Sequence, residues 1–198
     1  MASLRETKKE ATRRALADAS ASLALAQGSD AVTVSAIADA AGVSARTFHN
    51  YFSSTADALL YFTAEVLEEF TTQVPSLHPD AKDITELFEK VVLDSLVNDH
   101  TELHSLPPLF RIGETLENLS TSTEEKEKYV NVARGVLMAF HERFPQRDTF
   151  HTAVLLQASA GAALVALKEC SRPFLTQGEY APEELVHRAF SALRHASA

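Results

Sequence analysis

Residues 33–52, TVSAIADAAGVSARTFHNYF, constrain this chain more than any other stretch, because they encode two short helices joined by a turn where only small side chains fit. Thr33 is placed to cap the first helix, in which Val34, Ile37, Ala38 and Ala41 recur at the three- and four-residue spacing of one apolar face. Gly42 supplies a left-handed turn, and Ser44 caps a second helix. In that helix Phe48, Tyr51 and Phe52 fall on one side, while Ala45, Arg46, His49 and Asn50 fall on the other. The first set packs and the second is free to touch a partner. Ala38 and Ala41 fit the steep crossing of two helices beside a three-residue turn, where little more than a methyl group can be accommodated. The arrangement is that of a helix-turn-helix, whose second helix enters a groove of double-stranded DNA.

The ordered string of Thr33, Ile37-Ala38, Ala41-Gly42-Val43-Ser44, Thr47-Phe48, Tyr51-Phe52 and Leu59 resembles the DNA-binding region of the tetracycline-repressor (TetR) family of bacterial regulators. The resemblance covers the first third of the chain in motif detail and, beyond that, only length and helical character. It implies an operator-contacting set of Thr33, Ser35, Ser44, Ala45, Arg46, Thr47, His49, Asn50, Tyr51 and Thr55. Two positions depart from the family's pattern. His49 stands where a tyrosine is usual and Thr55 where a lysine is usual, both at places that hold the DNA backbone. A histidine still donates to phosphate, whereas Thr55 removes a positive charge and shifts the burden to Arg46, Thr47, Tyr51 and the basic N-terminal segment.

Charge is distributed in keeping with this. The chain carries a formal net charge of -9. Residues 1–62 contain six Lys plus Arg and six Asp plus Glu, so the whole acidic excess lies beyond the motif. Arg5, Lys8, Lys9, Arg13 and Arg14 form a local basic arm among Glu6 and Glu10. Such an arm suits phosphate or minor-groove contact as well as it suits a solvated terminus. A single cysteine, Cys170, forbids an intrachain disulfide and fits a reducing compartment. No run reaches the roughly 18 consecutive apolar residues of a membrane span. The expectation is a cytoplasmic protein without membrane contact.

The rest reads as helix, with about nine helices and no sustained strand alternation. Residues 11–26 carry Ala15, Leu16, Ala19, Leu23 and Ala26 on one face, ending at Gly28. Ser54 with Asp57, and Asp83 with Glu86, have capping-box spacing before the helices running to Val74 and through Leu96. Pro107-Pro108 breaks the chain before a shorter apolar piece with Leu109, Phe110, Ile112 and Leu116. Residues 120–125 cap a helix reaching Phe144. Residues 153–167, AVLLQASAGAALVAL, are apolar nearly all round and crowded with small side chains, which predicts burial on every side. A terminal helix opens at Pro182 with the stripe Leu185, Val186, Ala189, Phe190 and Leu193. The fold expected is all-α: a three-helix DNA-binding domain over residues 1–54 and a helical ligand-binding and dimerisation domain over residues 55–198. The last two helices from each of two chains would form a four-helix bundle, or else complete a monomeric core. The family resemblance implies the homodimer.

It also implies a small-molecule effector held by the C-terminal helices. The expected lining is Phe88, Leu96, Phe110, Arg111, Leu116, Met138, His141 and Gln157, mostly apolar with a few orienting polar groups. Arg111 suits a carboxylate or phosphate head group, or else pairs with Glu114 and Glu117 at the surface. His100 and His104 have the i, i+4 spacing of metal ligands, but Glu102 is not adjacent to the first histidine as a zinc-protease helix requires, so a solvated or capping pair is the plainer reading. No nucleophile elbow and no phosphate-binding glycine loop exists. No enzymatic activity, catalytic residue, metal or cofactor is therefore expected. A DNA-binding repressor released by a ligand stands against a helical ligand-binding or metal-dependent protein with a vestigial helix-turn-helix.

Overall fold

A computed structural model of the chain describes residues 4–97, 103, 108, 109, 112, 113, 115, 116, 119, 122–171 and 173–196. Among these residues the structure is all helical, with eight α-helices and no strand. In chain order they are α1 (Leu4–Gln27), a 3-10 turn (Ser29–Ala31), α2 (Val34–Ala40), α3 (Ala45–His49), α4 (Thr55–Gln73) and α5 (Ile84–Val97). Then come α6 (Thr123–Arg143), α7 (Thr149–Ser171) and α8 (Pro182–Ala196).

The contacts divide the chain into two compact units. One comprises residues 1–67 and 103–132, the other residues 68–102 and 133–198. Two helices contribute to both, since α4 and α6 each run across a unit boundary.

In the first unit a core gathers Leu16, Ala17, Ala21 and Ala24 of α1 with Ile37, Phe48, Phe52, Leu59, Phe62 and Val66, and with Ile112 and Leu116. Of the face its periodicity predicts, Leu16 is buried and Ala19 and Leu23 pack on this core, whereas Ala15 and Ala26 are exposed and Ala17, Ser20, Ala21 and Ala24 complete the buried side. Alanines on both sides of a helix carry little facial information, and the smallest set wins where helices approach closely. Ser20 is tolerated inside because its hydroxyl donates to the Leu16 carbonyl at 2.8 Å.

The second unit packs α5, α7 and α8 on one another. Phe140 stands between Phe70 and Phe88 at ring-centroid distances of 6.1 and 5.5 Å. The stripe of α8 is spent inside this unit, with Leu185, Val186 and Phe190 buried. Glu89 of α5 is buried and meets α8 through Arg194 at 2.5 Å and His187 at 2.8 Å. Burial pushes the Glu89 carboxyl up, but these partners outweigh it and hold it below its ordinary range.

Helix α7 is long and apolar enough, by length and composition, to cross a membrane. Its buried face is small and partly polar: Thr152, Ser159, Ala163, Ala166 and Glu169. It is not enclosed on every side as its sequence predicts. Phe150, Val154 and Val165 are 75%, 50% and 52% exposed, because small residues suffice to fill the contact with α5 and α8. Beyond α7, the Glu169 carboxylate accepts the backbone amides of Phe174, Leu175 and Thr176 at 2.9, 3.2 and 2.8 Å, which holds its pKa down to about 2.

Candidate nucleic-acid interface

The local chemistry of residues 33–55 explains its shape. Thr33 accepts the Ala36 amide at 3.2 Å and so caps α2. At the other end the Val43 amide donates to the Ala38 carbonyl at 2.9 Å and the Gly42 amide to the Asp39 carbonyl at 3.1 Å, the paired bonds of a Schellman stop. Gly42 makes this turn at φ 67°, left-handed backbone where a side chain would be strained. Ser44 then accepts the Thr47 amide at 3.1 Å and caps α3, with the Thr47 hydroxyl 2.9 Å from the same oxygen. Each turn of chain is thus fixed by bonds to residues no more than five positions away.

Two aromatic side chains anchor α3. Phe48 is fully buried and Phe52 nearly so, their rings 5.8 Å apart and tilted. With that side fastened, Ser44, Ala45, Arg46, His49 and Asn50 are exposed on the opposite surface. Thr33 and Ser35 are exposed at the start of α2. Thr47, Tyr51 and Thr55 are half-buried, and Tyr51 packs on the core while remaining accessible. Thr55 opens α4 behind Ser54, which accepts the Asp57 amide at 2.9 Å. Asp57 reaches back to the Ser53 amide and hydroxyl, each at 3.0 Å, one residue earlier than a strict capping box.

The basic arm divides. Arg13 lies over the Tyr61 ring at 4.3 Å and the Phe52 ring at 5.4 Å, and Arg14 pairs with Glu65 at 2.7 Å. Both belong to the packing of α1 on α4. The Tyr61 hydroxyl lies 2.5 Å from Glu10 and 3.0 Å from Glu65; burial, then these two carboxylates, push its pKa up. Arg5, Lys8 and Lys9 remain exposed on the first turns of α1. No local pattern separates the two groups, because the partners Tyr61 and Glu65 lie about fifty residues away.

The expected effector-lining residues are spread more widely. Phe88 is buried and Leu96 and His141 half-buried in the second unit, where the His141 ring nitrogen lies 3.4 Å from the Thr152 hydroxyl. Met138 is 41% exposed on α6 and Gln157 is exposed on α7. Leu116 is buried in the core of the first unit. Phe110 and Arg111 lie outside the described residues, as do His100 and His104. Among the described residues no group of three or more His, Cys, Asp or Glu is disposed to hold a metal ion.

Comparison with known proteins agrees with the geometry. Residues 16–61 match the family model for bacterial regulatory proteins of the tetR family. Among solved structures, the fatty acid degradation regulator FadR from Bacillus halodurans superposes with a TM-score of 0.62 at 20% identity, over 92% of this chain and 94% of that one. The transcriptional regulator FadR from Bacillus subtilis, in complex with stearoyl-CoA, gives 0.61 at 16% identity, over 91% and 96%. Reduced NemR from E. coli gives 0.62 at 17%, over 93% and 96%. At these identities the likeness is one of fold. No curated protein sequence matches.

Proposed function

We propose that this chain, which carries the DNA-binding segment of the TetR family at residues 16–61, is a homodimeric transcriptional repressor released from a double-stranded operator by a small-molecule effector. The observation that carries the reading is α3. Its inner side is locked by Phe48 and Phe52, and its outer side offers Ala45, Arg46, His49 and Asn50 to a groove. Arg46 supplies the fork that pairs with a guanine edge. Thr47, His49, Tyr51 and the exposed Arg5, Lys8 and Lys9 supply phosphate contacts, which compensate for the neutral Thr55. The domain division that fits this role is 1–54 for DNA and 55–198 for effector and dimer.

Dimerisation is supported by the exposed side of α7. Phe150, Val154, Gln157, Gly161 and Val165 follow one another at helical spacing and are all exposed, which leaves a stripe, apolar but for one amide, for a second copy. A two-fold pair presents two copies of α3 to successive half-sites. For the effector, long-chain acyl thioesters are the first class to try, since a FadR of similar fold was solved with stearoyl-CoA. Phe88, Leu96, Met138, His141 and Gln157, with Phe110 and Arg111, are the side chains to vary. The function is non-enzymatic and cytoplasmic.

The test is selection of bound duplexes from random DNA, followed by titration of the selected duplex and a scrambled one at fixed salt. Preference of at least about 1000-fold for the selected duplex supports a specific regulator. Equal affinity for both removes the reading and favours a helical binding protein with a vestigial motif.

A further inference from the structure

Helix α3 is only five residues long, less than two turns, so its own hydrogen bonds do not fix the angle at which it stands on the first unit. That angle is set from its far end. There the amides of Tyr51 and Phe52 both return to the Phe48 carbonyl, at 2.9 and 3.0 Å, so the Phe52 side chain moves with the helix. The Phe52 ring meets Phe48 at 5.8 Å and, edge to face, Tyr61 of α4 at 5.6 Å. One guanidinium covers the two outer rings of this stack: Arg13 of α1 lies 5.4 Å from the Phe52 centroid and 4.3 Å from that of Tyr61.

The charge on Arg13 is committed to these rings. The side chain is half-buried, and its enclosed Nε meets no hydrogen-bond partner among the described residues, a cost that stacking on two electron-rich faces offsets. The second ring is itself fastened, since the Tyr61 hydroxyl is held between Glu10 at 2.5 Å and Glu65 at 3.0 Å. The neighbouring Arg14 pairs with Glu65 at 2.7 Å and serves the contact of α1 with α4. Arg13 differs from it in reaching Phe52, and so α3. A flat guanidinium lies across two rings at once, a geometry that a lysine ammonium does not reproduce.

We propose that Arg13 is a positioning residue for DNA recognition: by covering Phe52 and Tyr61 together it sets the tilt of α3, and with it the preference for one operator sequence, without touching the DNA itself. The inference rests on the DNA-binding reading. With the guanidinium in place the Phe52 ring has one seat, between Phe48 and Tyr61. Without it the outer face of that ring is open and α3 rocks about Phe48. Base-edge contacts, which need one geometry, are then lost before phosphate contacts, which carry no sequence information.

Titration of the full chain and its Arg13 variants with the selected and scrambled duplexes, over a range of salt and at a temperature where each protein is fully folded, tests this. Arg13→Met keeps the stem and removes the charged plane; it should lose at least about tenfold on the selected duplex and less than about twofold on the scrambled one, with the salt slope unchanged. Arg13→Lys keeps a cation over the rings without the plane. It should lose about threefold on the selected duplex alone, and carries the test if the methionine variant does not fold. Equal loss on both duplexes overturns the proposal, and a salt slope lower by about one would then mark Arg13 as a phosphate contact. A variant that only melts earlier, with both affinities intact, also overturns it, since that is an arginine holding α1 on α4 and nothing more. Should the wild type select no duplex, the functional reading falls and the positioning is judged in the free protein by hydrogen exchange. There Arg13→Met, or Arg13→Lys in its place, must speed exchange at residues 47–52 more than at residues 14–24 of α1, and an equal or smaller effect refutes it.

Discussion

Replacing Arg46 by alanine isolates DNA recognition from folding, because among the described residues no hydrogen bond or ion pair ties the exposed Arg46 guanidinium to the protein. Truncation should leave thermal stability unchanged to within about 0.5 kcal/mol, the usual effect of a surface substitution away from special features. On the operator, a bidentate guanine contact is worth about 1–3 kcal/mol, which is about a 5- to 150-fold rise in Kd per half-site. Two copies on a symmetric site roughly double the free energy. Fluorescence anisotropy with the selected and scrambled duplexes, at one salt concentration, reads both numbers. The ratio of the two affinities should collapse, with preference relaxed at one position of each half-site. Unchanged selectivity, or equal loss on both duplexes, would mean that Arg46 holds only phosphate and that the outer side of α3 has been assigned wrongly.

Thr47→Ala should weaken all duplexes alike, and it also removes the hydroxyl beside Ser44, so a modest loss of stability in urea titration should accompany it. Gly42→Ala meets no atom within 4 Å, so its cost of about 1–2 kcal/mol should come from the left-handed backbone alone and appear as a lower denaturation midpoint with unchanged slope. Gly161→Glu likewise meets no atom within 4 Å in a single chain, so the protomer should fold and the dimer dissociate. Sedimentation equilibrium showing a stable dimer would place the interface elsewhere. The backbone amides of Thr176, Leu175 and Phe174 hold the Glu169 carboxyl down at about 2, below the ordinary 4.5 of a glutamate. Its depressed pKa stabilises the fold above the unfolded value and the effect fades as pH falls from about 4.5 through 2. Glu169→Gln should therefore lower stability at pH 6 and flatten its acid dependence over that window, and parallel curves for the two proteins would refute it.

The helix-turn-helix was legible because its determinants are local: Thr33, Gly42 and Ser44 act on residues at most a few places away, and Phe48 and Phe52 alternate with polar neighbours at helical period. Capping signals at Ser54 and Asp83 placed α4 and α5 within a residue or two, although Asp57 and Glu86 bond Ser53 and Lys82 rather than the cap itself. Legibility failed where partners are distant or side chains uninformative. The alanine-rich α1 turns Leu16, Ala19 and Leu23 inward as its spacing suggests, but it buries Ala17, Ala21 and Ala24 in place of Ala15 and Ala26. Arg13 and Arg14 looked like part of a basic arm until Tyr61 and Glu65 were brought beside them. The exposed side of α7 was hidden by uniform apolar composition, which reports that a helix is covered without saying by what.

The locking of α3 from beneath by Phe48 and Phe52 has a consequence for how such a protein changes over generations. Ala45, Arg46, His49 and Asn50 can be exchanged at almost no cost to the fold, so drift at these positions is filtered by operator sequence alone. A library randomised at the four should contain mostly folded members with divergent DNA preferences, whereas one randomised at Phe48 and Phe52 should contain few folded members at all. Specificity in this scaffold is written on a surface that thermodynamic selection barely sees.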